Sequence, residues 1–137
     1  MASYGGFDVT VQDNTKEVFQ ALNTALQRGL AACGETAVGY AQDKCPVDTG
    51  HLRNSISYKV VGNDCYIGTN VNYAPYIEYG TGVGAEKGGR KTPWIYTDKN
   101  GNTHLTHGYK AHPFLRPAAK DHTKEYQGII KDSLENA

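Results

Sequence analysis

The sequence predicts an α+β fold, in which a long amino-terminal helix and a carboxy-terminal helix pack on a small antiparallel sheet. Apolar residues recur at helical spacing over residues 15–41 and again after residue 114, and short alternating segments lie between these two stretches. Because 137 residues suffice for one hydrophobic core, we treat residues 1–137 as a single domain. Within it we distinguish an amino-terminal arm at residues 1–13 and an inserted loop with a β-hairpin at residues 82–112.

The first helix is expected to begin at Asn14 or Thr15, a suitable N-cap pair, and to run for about thirty residues. Its apolar face comprises Val18, Phe19, Leu22, Ala25, Leu26, Leu30, Cys33, Ala37 and Ala41. Such a helix extends roughly 45 Å, more than the core of a domain of this size requires. It is expected either to curve over its own sheet or to pack in part on a neighbouring subunit. Since glycine weakens a helix by about 1 kcal/mol relative to alanine, Gly29, Gly34 and Gly39 favour a bend or break.

Residues 45–50 are expected to end this helix and turn the chain. Pro46 disfavours helical geometry at the residue before it. Asp48 or Thr49 can then cap a short second helix that reaches Arg53.

The middle of the chain predicts a two-stranded sheet followed by one helical turn. Alternating apolar residues place antiparallel strands at residues 56–61 and 65–69. Residues 73–80 are rich in tyrosine and have Pro75 near a predicted helix start. Gly80 occupies the position of a left-handed C-terminal cap, so we expect a short aromatic helix here.

The insertion at residues 82–112 differs from the rest of the chain in being rich in glycine and basic residues. Asn100-Gly101 is a strong hairpin signal between two short segments, residues 94–97 and 103–106. Five basic residues against two acidic ones give the insertion a formal net charge of +3. We therefore expect a mobile basic loop that carries a projecting hairpin.

A last helix is expected to begin near Phe114 and Pro117 and to run close to the end of the chain. Its apolar face comprises Ala118, Ala119, Tyr126, Ile129, Ile130 and Leu134. This spacing predicts one continuous helix.

The overall composition excludes several classes of protein. Fourteen Lys and Arg residues balance fourteen Asp and Glu residues, so the net charge gives no general attraction to nucleic acid or anionic membranes. Cys33, Cys45 and Cys65 are odd in number and widely spaced, which fits neither a disulfide framework nor paired metal ligands. The sequence shows no signal peptide and no membrane span, so we expect synthesis in the cytoplasm and no membrane contact.

The sequence predicts no catalytic, metal or cofactor site. His104, His107 and His112 do not have the spacing of a closed metal site. Cys45 lies near Asp48 and His51 and suggests a cysteine-dependent hydrolase, but no orienting group or oxyanion site accompanies it. We therefore expect an ordinary thiol and no enzyme.

A second alternative is a nucleic-acid-binding module that uses the basic loop. Lys87, Arg90 and Lys91 are followed by Trp94, which combines positive charge with a ring on which a base could stack. A steep salt dependence of DNA binding by the monomer would favour this alternative.

Three sequence motifs, in order, carry a resemblance to a known family. They are CPVDTGHLRNSI at residues 45–56, IGTN with YAPYIEYGT between residues 67 and 81, and HPFLRPA at residues 112–118. Together they resemble the HK97-type tail-component family of tailed bacteriophages. The long insertion at residues 82–110 departs from the family pattern.

The resemblance implies a structural virion protein of the phage tail or neck: a tail completion, tail terminator or head-tail connector subunit. Such a subunit would assemble as a homo-oligomeric ring, with six copies expected, around the DNA channel. The implied partners are a neck or head-completion protein, the tail tube protein and the DNA in the channel, and no cofactor is implied.

The motif residues are expected to fix the fold or to form interfaces, and none of them is expected to take part in catalysis. The candidates are Asp48, Thr49, Gly50, Arg53, Tyr73, Tyr76, Glu78, Tyr79, Gly80, Phe114 and Arg116. Arginine offers a planar, bidentate donor fork to a carboxylate. We therefore predict that Arg53 or Arg116 pairs with Glu78 and fixes the short aromatic helix to the domain.

Overall fold

The computed structural model of the chain describes residues 2–4, 7–47 and 50–137. Its helices are α1 (Thr15–Lys44), α2 (His51–Ser55), α3 (Ala74–Tyr79), α4 (Leu115–Lys120) and α5 (Thr123–Glu135). Its strands are β1 (Ala2–Tyr4), β2 (Phe7–Val9), β3 (Ser57–Val61), β4 (Asp64–Gly68), β5 (Thr81–Gly82), β6 (Trp94–Thr97), β7 (Thr103–Thr106) and β8 (Gly108–Tyr109). The strands form four antiparallel pairs, β1–β2, β3–β4, β5–β8 and β6–β7. The predicted α+β class is confirmed.

Helix α1 runs through all three of its glycines without a break. Its first turn is capped by the side chain of Asp13, which accepts the Thr15 N–H at 2.9 Å, and the predicted Asn14 makes no side-chain cap. No helix in the described part of the chain has both the length and the apolar character needed to cross a lipid bilayer.

Two of these glycines allow other elements to approach α1 closely. A Cβ atom at Gly34 would lie 2.5 Å from the ring of Tyr58 and 2.9 Å from the Cys65 sulfur. A Cβ atom at Gly29 would lie 3.1 Å from Ile130 Cδ1. Strands β3 and β4 and helix α5 therefore pack against α1 where it lacks side chains, and this contact offsets the weak helical preference of glycine.

The predicted single carboxy-terminal helix is two helices, because the chain leaves helical geometry at Asp121 and His122. The ring of His122 stacks on the ring of Tyr40 in α1, with centroids 3.5 Å apart. After the turn, the Tyr126 hydroxyl donates a hydrogen bond to the Ala118 carbonyl, and burial raises the pKa of Tyr126 to about 12. These contacts with α1 and α4 override the helical periodicity of the sequence.

The hydrophobic core lies where the carboxy-terminal part of α1 meets α2, α3 and α4. Its buried members are Ala41, Cys45, Leu52, Ile56, Val71, Ala74, Phe114 and Ala118. Phe114 is completely buried and is the largest of them. The amino-terminal third of α1 has no part in this core.

Candidate functional site

The three sequence motifs, which are far apart in the chain, meet in this core. The first contributes Leu52 and Ile56, the second contributes Ala74, and the third contributes Phe114 and Ala118. Burying side chains from all three motifs in one cluster stabilises their mutual arrangement. The motifs therefore act as parts of one packing unit.

Glu78 is a buried carboxylate at the centre of this unit. Only 4% of the residue is exposed. Its Oε1 atom accepts the backbone N–H of Phe114 at 3.3 Å and of Leu115 at 2.7 Å. These N–H groups lie at the amino-terminal end of α4, where helical backbone donors lack partners within the helix. Glu78 thus caps α4 from α3.

Arg116 completes the pairing that the sequence predicts for Glu78. Its Nε donates to Glu78 Oε2 at 3.0 Å, and its Nη2 donates to the Glu78 carbonyl at 3.0 Å. Among the described ion pairs none involves Arg53, which is exposed on α2. The Arg116 alternative is confirmed, and the Arg53 alternative is wrong, because the described partners of the Glu78 carboxylate are Phe114, Leu115 and Arg116.

A second carboxylate, Glu86, also holds the Arg116 guanidinium. Nη1 and Nη2 of Arg116 lie 2.9 Å from Glu86 Oε2 and Oε1, which is a bidentate arrangement. Hydrogen bonds from Arg116 lower the pKa of Glu86, and its hydrogen bonds to Glu86 and Glu78 raise the pKa of Arg116. The guanidinium also lies 4.5 Å from the centre of the Tyr79 ring. No local sequence signal identifies Glu86, since it lies in the insertion.

The backbone at Gly80 joins this junction to the inserted segment. Gly80 has φ of 79°, and a Cβ atom there would lie 2.4 Å from the Gly84 carbonyl oxygen. Only glycine fits such a crossing without a shift of the backbone. The predicted C-terminal glycine of α3 is therefore also the point where two chain segments pass each other.

The base of the insertion is anchored by a ladder that the sequence does not predict. Strand β5 pairs with β8, and the Tyr109 N–H also donates to the Thr81 hydroxyl at 2.9 Å. The His112 N–H donates to the Ile77 carbonyl at 2.8 Å. At the other end of the insertion, the Glu86 N–H donates to the Tyr79 carbonyl at 3.0 Å, so backbone hydrogen bonds tie both ends to α3. The mobility of the basic loop stays a prediction.

The β6–β7 hairpin, which we call the arm, carries exposed apolar side chains. Ile95 and Leu105 form a cross-strand pair and are 68% and 67% exposed. At the tip, Asp98 accepts the N–H groups of Asn100 and Asn102, each at 2.9 Å. An isolated two-stranded hairpin is only marginally stable in water. The exposed apolar pair on the arm is therefore suited to packing against another protein.

The basic candidates for nucleic-acid contact are only partly available. Lys87, Arg90 and Lys91 are exposed. Trp94 is half-buried: its ring lies above Gly82, and the Arg90 guanidinium is 5.5 Å from the ring centre. The arginine covers the surface on which a base would stack, so the geometry favours phosphate contact by the three cations over base stacking.

Cys45 and the histidines are the remaining sequence-based candidates for chemistry. Burial raises the pKa of the Cys45 thiol although Arg53 opposes this shift, which argues against a thiolate nucleophile. No group of three or more His, Cys, Asp or Glu residues able to hold a metal ion occurs within residues 2–4, 7–47 and 50–137. Asp48 and Thr49 lie outside the described residues.

The other motif residues occupy separate places. Gly50 precedes α2 with φ of 83° and accepts the Asn54 N–H at 2.9 Å. Tyr73, the N-cap residue of α3, and Tyr76, within α3, are 40% and 60% exposed. They are therefore placed on the surface beside the junction, where their role as interface residues stays a prediction.

Comparison with known proteins gives one family. Residues 10–80 match the family model described as "Bacteriophage HK97-gp10, putative tail-component". The match spans about half of the chain. It includes the first motif and all but the last residue of the second; the third lies beyond it. Comparisons with curated proteins and with solved structures gave no match.

Proposed function

Because the chain belongs to the HK97 gp10-like family of phage tail components, we propose that it forms a ring at the head-to-tail junction. It would act there as a tail completion, terminator or neck subunit around the DNA channel. Six copies are proposed, held between a neck or head-completion protein and the tail tube. Its proposed role is to form contacts with other virion proteins, without catalysis.

The observation that carries the proposal is the large surface that one chain exposes. The accessible surface is 9813 Å² for a chain of 14.9 kDa. A compact monomer of this mass exposes ~7,000 Å². The excess, about 2,800 Å², is of the order that two extensive protein interfaces require from one subunit. A ring subunit has two such interfaces, one with each neighbour.

Two groups of exposed apolar residues lie away from the motif core. One is the amino-terminal part of α1, where Phe19 is 65% exposed, and the other is the arm. Large exposed apolar patches mark interaction sites in soluble proteins. We propose that the arm reaches an adjacent virion protein, and that Lys87, Arg90 and Lys91 at its base contact phosphates of the channel DNA.

Purified protein, alone and mixed with tail tubes, tests this function. Light scattering after gel filtration measures the mass, and negative-stain images show the particles. We expect rings, or tubes capped at one end. A strict monomer that never caps tubes would overturn the proposal. Tight, steeply salt-dependent DNA binding by that monomer would favour the nucleic-acid-binding alternative.

A further inference from the structure

Helix α1 presents an apolar stripe that the core of its own chain does not use. Val18, Phe19 and Leu22 are 53%, 65% and 39% exposed. Their spacing places them on one face of the helix. All described residues from 10 to 24 are exposed, so this end of α1 projects beyond the core. We call these three residues the α1 stripe.

An apolar groove lies on a different part of the same chain. It has a volume of about 770 Å³ and is bounded by α1, β4 and α5. Apolar residues along it include Leu30, Ala37, Ile67, Ile130 and Leu134. Helix α5 approaches α1 closely at Gly29, and no residue of α5 is buried. We call it the α1–α5 groove.

The α1 stripe cannot enter the groove of its own chain. Leu30 and Ala37 of the groove belong to the same continuous helix as the stripe. Leu22 and Leu30 are separated by eight residues, or about 12 Å along a rigid helix. The stripe of a chain therefore cannot be the occupant of that chain's own groove.

We propose that the α1 stripe of one copy packs into the α1–α5 groove of the next copy. This inference rests on the proposed ring and names the surfaces that join its subunits. The two surfaces are different and do not overlap, so the contact is heterologous, and its repetition closes a ring when the rotation allows. It would bury part of the excess surface that one chain exposes.

Charged groups around the two surfaces are arranged to support this pairing. Lys16 lies three residues before Phe19 and is exposed. Lys131 and Glu135 border the groove and lie 4.0 Å from each other, and Asp64 borders it as a further carboxylate; all three are exposed. Asp64 is therefore the rim carboxylate that Lys16 of the next copy would approach. Opposite charges at the rim of an apolar contact steer association and fix its register.

Charge-introducing variants on each surface test the inference. Phe19→Glu, with Val18→Glu as a second variant, blocks the stripe and leaves the groove intact. Leu134→Glu blocks the groove and leaves the stripe intact. Thr24→Glu, on the opposite face of α1, and Lys124→Glu, exposed on α5 and outside the groove, are the matched controls. Melting curves establish which variants are folded, and light scattering gives their masses with and without tail tubes.

We expect each blocked variant alone to be monomeric and both controls to assemble like the wild type. A mixture of Phe19→Glu and Leu134→Glu should form a one-to-one dimer and nothing larger, because one intact stripe and one intact groove remain. A mixture that stays monomeric would overturn the inference. Self-association of Leu134→Glu alone would also overturn it, since that variant keeps its stripe and a symmetric stripe-to-stripe contact would survive. Wild-type-like rings from folded Phe19→Glu and Val18→Glu would overturn it too, while leaving the proposed function intact. A wild type that is monomeric with and without tubes would overturn both.

Discussion

The motif junction and the arm differ in burial and in how their side chains are paired, although they belong to neighbouring stretches of the chain. At the junction, Glu78 is buried and accepts hydrogen bonds from two backbone N–H groups and one guanidinium. In the arm, Ile95 and Leu105 pair only across their own hairpin and are about two-thirds exposed. The junction therefore stabilises the fold, whereas the arm leaves apolar surface exposed, as the proposed contact with another virion protein requires.

The strongest test of this difference is removal of the Glu78 carboxylate. Glu78→Ala leaves the Phe114 and Leu115 N–H groups and Arg116 without their partner. We expect the free energy of unfolding to fall by about 3 kcal/mol, near the low end for a broken buried pair because Arg116 is one-third exposed. Urea denaturation at neutral pH measures it. Glu78→Gln keeps an acceptor for the N–H groups and should lose less; a Glu78→Ala protein as stable as the wild type would contradict the assignment.

A pair of glycine substitutions in α1 tests the close packing at Gly34. A Cβ atom at Gly34 meets the Tyr58 ring, so Gly34→Ala should lower the free energy of unfolding by about 1–3 kcal/mol. Gly39 has nothing within 4 Å of such an atom, and Gly39→Ala should raise it by about 0.5–1 kcal/mol. Thermal and urea unfolding measure both. Equal effects of the same sign would show that helical preference alone governs these positions.

The pairing of Glu86 with Arg116 predicts that the stability of the protein decreases modestly as the pH falls into the acidic range. The folded state lowers the pKa of Glu86, so its contribution is present above the unfolded pKa, near 4.5, and is lost as pH falls through the lower folded value. Melting temperatures of the wild type and Glu86→Gln should therefore differ at pH 7 and converge as the pH falls below the unfolded value. A difference that is independent of pH would exclude this ion pair as its cause.

The arm should show the smallest effect on stability and a large effect on assembly. We expect the double substitution Ile95→Ser and Leu105→Ser to change the free energy of unfolding by no more than about 0.5 kcal/mol, since both side chains are exposed. The same protein should lose capping of tail tubes in negative-stain images. Thr97→Ser with Thr103→Ser, on the same strands, is the control. Normal capping by the double variant would contradict a partner role for the arm.

The prediction from sequence was accurate where a feature depends on neighbouring residues. Apolar spacing gave α1 almost to its bounds, and Asn100-Gly101 gave the arm hairpin. It failed where distant residues decide the outcome. The turn at Asp121 and His122 divides the last helix, because Tyr40 stacks on His122 across 82 positions of sequence. The β5–β8 ladder is only two residues long in each strand, too short to leave a periodic pattern.

In the candidate site, too, some features follow from local sequence and others depend on tertiary packing. The sequence by itself determined the family resemblance, the motif residues and the need for an arginine partner to Glu78, because these follow from residue type and local order. Only the tertiary structure decided that Arg116 is that partner, that Glu86 shares it, and that a stripe and a groove remain open on opposite parts of α1. Glu78 and Arg116 are 38 residues apart, and such a contact depends on how whole elements pack, which local spacing does not encode.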